Sequence, residues 1–231
     1  MSARTCAKSV IKKIVVLFCG KKFSEMKIGP EKVLVSFDIY DTAVRRTVEK
    51  PEDVFDLVQE KYCIDNEWRL SQTFREIRSV AEKKARRFSA TGEVKLQDIY
   101  YFIDNLNEDE KNVLIEIETD VEKQVAYINP EFKTIYERLL TQDLEIVFTS
   151  DMYLAEKTII EILKKTGITE FKKVYVSCEY NASKKNGKLF NHVLNDFGGH
   201  ERNIVHIGDN AWGDFVIPLS KGISSFLYRA I

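Results

Sequence analysis

Paired cysteine, histidine and charge of one dominant sign are what this chain lacks. Its four cysteines, Cys6, Cys19, Cys63 and Cys178, are far apart and form no C-x-x-C pair. That argues against a zinc knuckle or a disulfide framework and fits a reducing cytoplasm. The three histidines, His192, His200 and His206, include no H-E-x-x-H pair. A metal bound here is therefore expected to be hard and oxygen-ligated. With 35 basic against 36 acidic side chains the net charge is −1, which argues against an electrostatic nucleic-acid binder. No stretch approaches the roughly 18 apolar residues of a membrane span. The run 14–19, behind Lys8, Lys12 and Lys13, has the basic flank of a signal peptide. It is shorter than the roughly 7–15 apolar residues such a leader needs, and Gly20-Lys21-Lys22 is a poor cleavage context. It reads instead as a short strand or amphipathic helix packed on the domain, or as a contact to an anionic surface.

What is present is an ordinary globular composition, 44% apolar and 31% charged with only 4 Pro, so the expectation is one domain or one domain carrying an insertion. Residues 1–32 hold eight Lys/Arg against Glu25 and Glu31, a basic arm of net charge +6. Five short β-rich runs follow, at 33–37, 145–149, 173–177, 203–207 and 224–228, each bounded by polar or Gly residues as buried parallel strands are. Helical patterns at 154–166, 189–197 and 215–219 separate the last four. Strand and helix thus alternate, which predicts a Rossmann-like doubly wound parallel α/β sheet with right-handed crossovers.

About a hundred residues separate the first run from the second, and they read as all helix: 53–62, 67–88, 96–106 and 108–128. In the second of these, Phe74, Ile77, Val80, Ala81, Ala85 and Phe88 make a packing stripe. The acidic run 108–122 reads as a solvated helix face. An insertion after the first strand lies over the carboxyl edge of the sheet, where open α/β sheets bind ligands. Organisation alone proposes a lid.

Chemistry-bearing residues gather at four strand ends. The first run leads into Phe37-Asp38-Ile39-Tyr40-Asp41-Thr42, the second into Thr149-Ser150-Asp151, the third into Ser183-Lys184-Lys185-Asn186-Gly187, and the fourth into Gly208-Asp209-Asn210 followed by Asp214. A carboxylate leaving a buried strand needs a cationic partner, hydroxyls donate to an anion, and a lysine supplies fixed charge.

In this order the four segments resemble the motifs of the haloacid dehalogenase (HAD) superfamily. F-D-x-x-x-T matches Asp38 and Thr42, the hydroxyl of the second motif matches Ser150, the lysine of the third matches Lys184, and G-D-x-x-x-x-D matches Asp209 and Asp214. Lys184 is preferred over Lys185 because the family's spacing from that lysine to the next aromatic residue reaches Phe190. A closer similarity runs over Arg45-Arg46, Pro51-Glu52-Asp53-Val54-Phe55, Ser150-Asp151-Met152-Tyr153-Leu154, Gly187-Lys188-Leu189-Phe190 and His206-Ile207-Gly208-Asp209-Asn210. It is to a bacterial branch whose members are often fused to, or encoded beside, glycosyltransferases of surface-polysaccharide synthesis.

The resemblance implies a core of residues 33–44 and 131–231, a helical cap of 45–130 and a Mg²⁺-dependent phosphohydrolase. Asp38 would be the nucleophile and Ser150 and Lys184 would bind the phosphoryl group. Thr42, Asp151 and Arg45 are further substrate-binding candidates. Mg²⁺ would be held by Asp38, Asp209 and the Tyr40 carbonyl, with Asp214 orienting the shell. One position departs from the pattern. The superfamily's phosphatases carry a second Asp, the general acid and base, two residues after the nucleophile, and here that position is Tyr40, as in the 2-haloacid dehalogenases. Strand alternation directs Asp41 away from Asp38, so it is a poor substitute if the strand persists. Dehalogenases use no metal and lack the Gly-Asp pair that stands here at 208–209. Three readings therefore stay open: a phosphohydrolase, an inactive descendant serving a glycosyltransferase, and a dehalogenase. Trp212 is expected to pack beneath the fourth loop.

Overall fold

The computed structural model describes residues 19–29, 31–199 and 203–229. Arg4, Cys6, Lys8, Lys12, Lys13, most of the 14–19 run and His200 lie outside the described residues. The described residues form eight strands: β1 (Gly20–Lys21), β2 (Leu34–Asp38), β3 (Val44–Arg46), β4 (Ala126–Ile128), β5 (Glu145–Ser150), β6 (Lys173–Val176), β7 (Ile204–Gly208) and β8 (Ser224–Tyr228). Six of them form one sheet in the order β1-β8-β7-β2-β5-β6, and every pair in it is parallel. This is the expected Rossmann-like α/β architecture.

Helices cover both faces. The helices α1 (Val54–Asp65), α2 (Phe74–Phe88), α3 (Leu96–Tyr101) and α4 (Glu108–Val125) lie between β3 and β4 in the chain. They are followed by α5 (Pro130–Leu140), α6 (Glu156–Lys165), α7 (Ser177–Tyr180), α8 (Lys188–Asp196) and α9 (Ile217–Ser220), the last continuing a π-helical turn at Ala211–Val216. Phe132, Ile135, Ile159 and Ile162 of α5 and α6 pack with Val35, Phe37 and Phe148 on one face of the sheet. Leu189, Phe190 and Val193 of α8 pack with Leu34, Val147 and Ile204 on the other. Alternation along β2 therefore sends odd positions to the first core and even ones to the second.

Three differences from the sequence reading have physical causes. Residues 20–26, part of the stretch read as a basic arm, dock on the sheet: β1 pairs with β8, and buried Phe23 stacks on Tyr228 at 4.2 Å. The helical pattern 108–128 stops at Val125, because Ala126–Ile128 turns into a strand that pairs antiparallel with β3. This two-stranded ribbon carries the chain out to the helical insertion and back. Finally, the stripe on α2 holds at Phe74, Ile77, Ala81 and Ala85, while Val80 and Phe88 are 47% and 74% exposed. Arg78, wholly buried, occupies the face instead. No described helix is long and apolar enough to cross a membrane.

Candidate active site

Because the strands are parallel, their carboxyl ends meet at one edge, and four of the segments singled out above converge there. Lys184 Nζ contacts the Asp38 carboxylate and lies 2.6 Å from Asp214 Oδ1. Thr42 donates its hydroxyl to Asp38 Oδ2 at 3.2 Å and stands 3.4 Å from Asp209 Oδ1. Asp214 Oδ1 also faces His206 Nε2 at 3.1 Å, and its Oδ2 accepts the Asn210 backbone N–H at 2.9 Å. Such proximity needs glycine at 208, where an added Cβ would stand 2.4 Å from the Asp214 carboxyl carbon. One carboxylate oxygen from each of Asp38, Asp209 and Asp214 falls within 4.8 Å of the others.

The electrostatics follow from three carboxylates sharing one ammonium. Burial raises the Asp38 pKa, and the Asp214 and Asp209 charges add to it while Lys184 opposes. Burial, with the Asp214 charge beside it, pushes Asp209 up to about 6. Burial also works against ionised Asp214, but Lys184 and the His206 hydrogen bond hold it well below the usual carboxylate range. Burial likewise disfavours the Lys184 ammonium, yet Asp214 and Asp38 keep it firmly protonated. An excess of buried carboxylate oxygens over cations is the donor set of a hard divalent ion, which would displace the protons that burial otherwise forces on. The Tyr40 carbonyl accepts none of the backbone hydrogen bonds that close the turn after β2, which run to Ile39 and Val44. The residues present therefore fit Mg²⁺ or a similar cation.

Above this floor lies a cavity of about 690 Å³. The sheet edge contributes Asp38, Ser150, Asp151, Lys184 and Asp209, and the insertion contributes Glu52, Phe55, Ser79, Glu82, Lys83 and Arg86. Positions 79, 82, 83 and 86 share one face of α2. The Ser150 hydroxyl has no hydrogen-bond partner among the described residues and faces this space, while Asp151 accepts the Lys184 backbone N–H at 2.7 Å. Lys83 and Lys185, both exposed, have no ion-pair partner among the described residues.

Several expected residues stand elsewhere. Arg45 turns to the hinge, hydrogen-bonding Tyr228 Oη at 3.0 Å, and does not line the cavity; Arg46 does. The cause is alternation along β3, which sends neighbouring side chains to opposite sides. Thr42 is fully buried and holds carboxylates instead of facing ligand space. Strand β2 ends at Asp38 and Asp41 adopts a left-handed φ of 62°, so Asp41 lines the cavity instead of pointing away. Trp212, expected to be packed, is 54% exposed on the π-helical turn.

Sequence reasoning also missed charges in the insertion. Glu118 and Glu122, read as solvated, are buried at 0% and 1% exposure. Arg78 pairs with Glu118 through two bonds of 2.9 Å, and Arg46 with Glu122 at 2.9 and 3.2 Å. The Arg46 guanidinium lies 3.8 Å from the Tyr40 ring centre and pins that ring against the cavity. Burial, with Glu122 nearby, raises the Tyr40 pKa far above its ordinary value, and its buried hydroxyl has no partner among the described residues. The heptad-like spacing of 78, 118 and 122 against apolar neighbours was the available signal.

No family model and no curated protein matches the chain. Solved structures do. A 2-haloacid dehalogenase from Pseudomonas syringae pv. Tomato DC3000 superposes with a TM-score of 0.66 at 14% identity, over 87% of this chain and 89% of that one. The HAD-hydrolase YfnB of Bacillus subtilis, bound to magnesium, gives 0.59 at 15% identity over 84% and 87%. A predicted phosphoglycolate phosphatase from Haemophilus somnus 129pt gives 0.56 at 16% identity over 87% and 89%. At such identities the likeness is one of fold, and the fold of this chain is that of the HAD-like hydrolases.

Proposed function

We propose that this protein is a Mg²⁺-dependent phosphohydrolase of a small phosphorylated metabolite, with Asp38 as its nucleophile. The observation that carries the reading is the charge imbalance at the cavity floor, where Asp38, Asp209 and Asp214 meet the single ammonium of Lys184. A divalent cation held by Asp38, Asp209 and the Tyr40 carbonyl, with Asp214 behind them, would supply neutralising charge to phosphoryl oxygens. An Asp38 oxygen attacks phosphorus as the bond to the leaving oxygen breaks, giving an aspartyl-phosphate. Water then attacks that phosphorus, releasing inorganic phosphate and the free carboxylate. Ser150 and Lys184 donate to the equatorial oxygens. In this reading residues 33–44 and 131–231 are the catalytic core and 45–130 a cap.

Tyr40 keeps its proton and cannot serve as the missing acid and base, so poor leaving groups should react slowly; general acid catalysis is worth roughly 10²–10⁴ in rate. The hydrogen-bonding face of α2 opposite Phe55 and Tyr153 suits a sugar phosphate or a nucleotide-sugar precursor. A glycosyltransferase of surface-polysaccharide synthesis is the partner that the resemblance of the sequence segments implies. Tyr40 favours one second reading, a 2-haloacid dehalogenase, against which the Asp209 carboxylate would be needless charge beside the nucleophile.

Screening phosphate esters with Mg²⁺ and with EDTA, beside Asp38→Asn, tests the proposal. Turnover that needs Mg²⁺ and Asp38 is expected. Turnover by the Asn variant would overturn it, as would halide release from a 2-haloacid in EDTA. Turnover of neither class would leave a non-catalytic module serving a glycosyltransferase.

A further inference from the structure

Two polar residues sit where a parallel sheet is otherwise apolar. Ser36 on β2 and His206 on β7 are both fully buried, and the parallel register sets them opposite one another. Alternation puts them on the same face as Leu34 and Ile204, one step short of Asp38 and Gly208. Neither lines the cavity. Buried polar groups are costly unless hydrogen-bonded, and here each bond leads toward the site.

For a neutral imidazole the bonding pattern has one consistent assignment of protons. An ionised carboxylate only accepts, so the 3.1 Å contact between His206 and Asp214 Oδ1 requires the proton on Nε2. Nδ1 then carries a lone pair and accepts the Ser36 hydroxyl at 2.9 Å. Phe190 meets the imidazole edge-on, with ring centres 4.9 Å apart, and restricts its rotation. Of the roughly four lone-pair sites of a carboxylate, Asp214 gives three to His206, Lys184 and the Asn210 N–H. Its orientation is thereby set from three sides. Lys184, shared between Asp214 and Asp38, takes its position from both.

We propose that Ser36 and His206 are positioning residues, a buried relay that aims Asp214 and, through it, sets Lys184 and the carboxylate cluster that receives the cation. The role in turnover rests on the phosphohydrolase reading; the role in cation binding does not. Removing the Nε2 donor frees the Asp214 carboxylate to rotate and lets Lys184 follow it. Outer partners of this kind are typically worth about 10–100-fold in metal affinity.

The test uses the full chain with MgCl₂ in titration calorimetry, comparing His206→Phe, His206→Gln and Ser36→Ala. His206→Phe, which keeps a planar ring and removes the donor, is expected to weaken Mg²⁺ binding by about 10–100-fold. His206→Gln, whose amide N–H can replace Nε2–H, is expected to stay near the wild type. Ser36→Ala, which alters little volume, is expected to weaken binding by about threefold through loss of the tautomer lock. Long-range ¹H–¹⁵N spectra of the metal-free wild type should show a neutral His206 protonated at Nε2. With p-nitrophenyl phosphate at saturating Mg²⁺, His206→Phe should lower kcat and leave KM unchanged.

Equal losses in the Phe and Gln variants would reduce His206 to packing and overturn the proposal. So would a proton on Nδ1, or wild-type Mg²⁺ affinity in both His206→Phe and Ser36→Ala. His206-dependent binding in a chain that hydrolyses no phosphate ester would support the relay and overturn only the phosphohydrolase reading.

Discussion

Two regions of this molecule bury ionised groups, and they do so with opposite bookkeeping. In the helical insertion Arg78 and Arg46 face Glu118 and Glu122 through two-pronged contacts, and the Tyr100 and Tyr153 hydroxyls donate to oxygens of the same two carboxylates at 2.8 and 3.4 Å. Two buried cations meet two buried anions, and Glu82, which also pairs with Arg78 at 3.1 Å, is matched by Arg86 at 2.8 Å. At the sheet edge Asp38, Asp209 and Asp214 meet Lys184 alone. A balanced buried network is complete without a ligand and fixes how helices pack. An unbalanced one is complete only when a cation arrives, and holds itself together meanwhile by raising the pKa values of Asp38 and Asp209.

The sharpest way to break this contrast is to remove one charge from each region. Asp38→Asn is expected to cut phosphate-ester turnover by about 10³-fold or more, while the metal-free variant melts at or above the wild-type temperature because one surplus carboxylate is gone. Arg78→Met should do the reverse. It leaves Glu118 buried and unpaired, at a cost of about 3–5 kcal/mol in urea unfolding, and adding Glu118→Leu should recover most of it. A destabilised Asp38→Asn would erase the distinction. Magnesium then discriminates between the regions: at about 100 times its Kd it should stabilise the wild type by about 2.7 kcal/mol, and Asp209→Asn should lose most of that gain.

The smallest effect is the pH dependence of the metal-free chain. Asp209, pushed up to about 6, binds its proton more tightly when folded than the value of about 4 it has unfolded. Its contribution to stability is full below about pH 4 and is lost as pH rises through about 6. Melting temperature should therefore fall between about pH 5 and about pH 7 in EDTA, with a shallower slope in Asp209→Asn. A slope that rises in this window, or one that Asp209→Asn leaves unchanged, would count against a raised Asp209.

Legibility differed between the two regions for the same reason that their charges differ. The sheet-edge cluster lies on four short segments that follow apolar runs, so patterning located Asp38, Ser150 and Asp209 at strand ends, while Lys184, in the loop beyond the third strand, was singled out by the family's spacing to Phe190. The buried pairs of the insertion join positions 40 and 76 residues apart, with Arg78 on α2 and Arg46 on β3 each reaching a glutamate on α4. There Glu118 and Glu122 share a helix stripe with Leu114, Val121 and Val125, but nothing local names the arginine that each one meets. Arg45 and Arg46 could not be told apart because the ribbon that alternates them forms only when β4 returns from the far side of the insertion. His206 was readable in principle as a polar residue at an inward strand position, but its partner Ser36 lies 170 residues away.

By itself the sequence determined the parallel α/β order, the helical insertion after the first strand and the residue types that gather at the carboxyl edge. Those features depend on local periodicity and on where each strand must stop. Tertiary structure alone decided which charges are balanced, that Asp41 enters the cavity, and that a serine and a histidine stand behind Asp214. These depend on register and burial between distant segments, where an ångström decides whether two groups share a proton or merely share a neighbourhood.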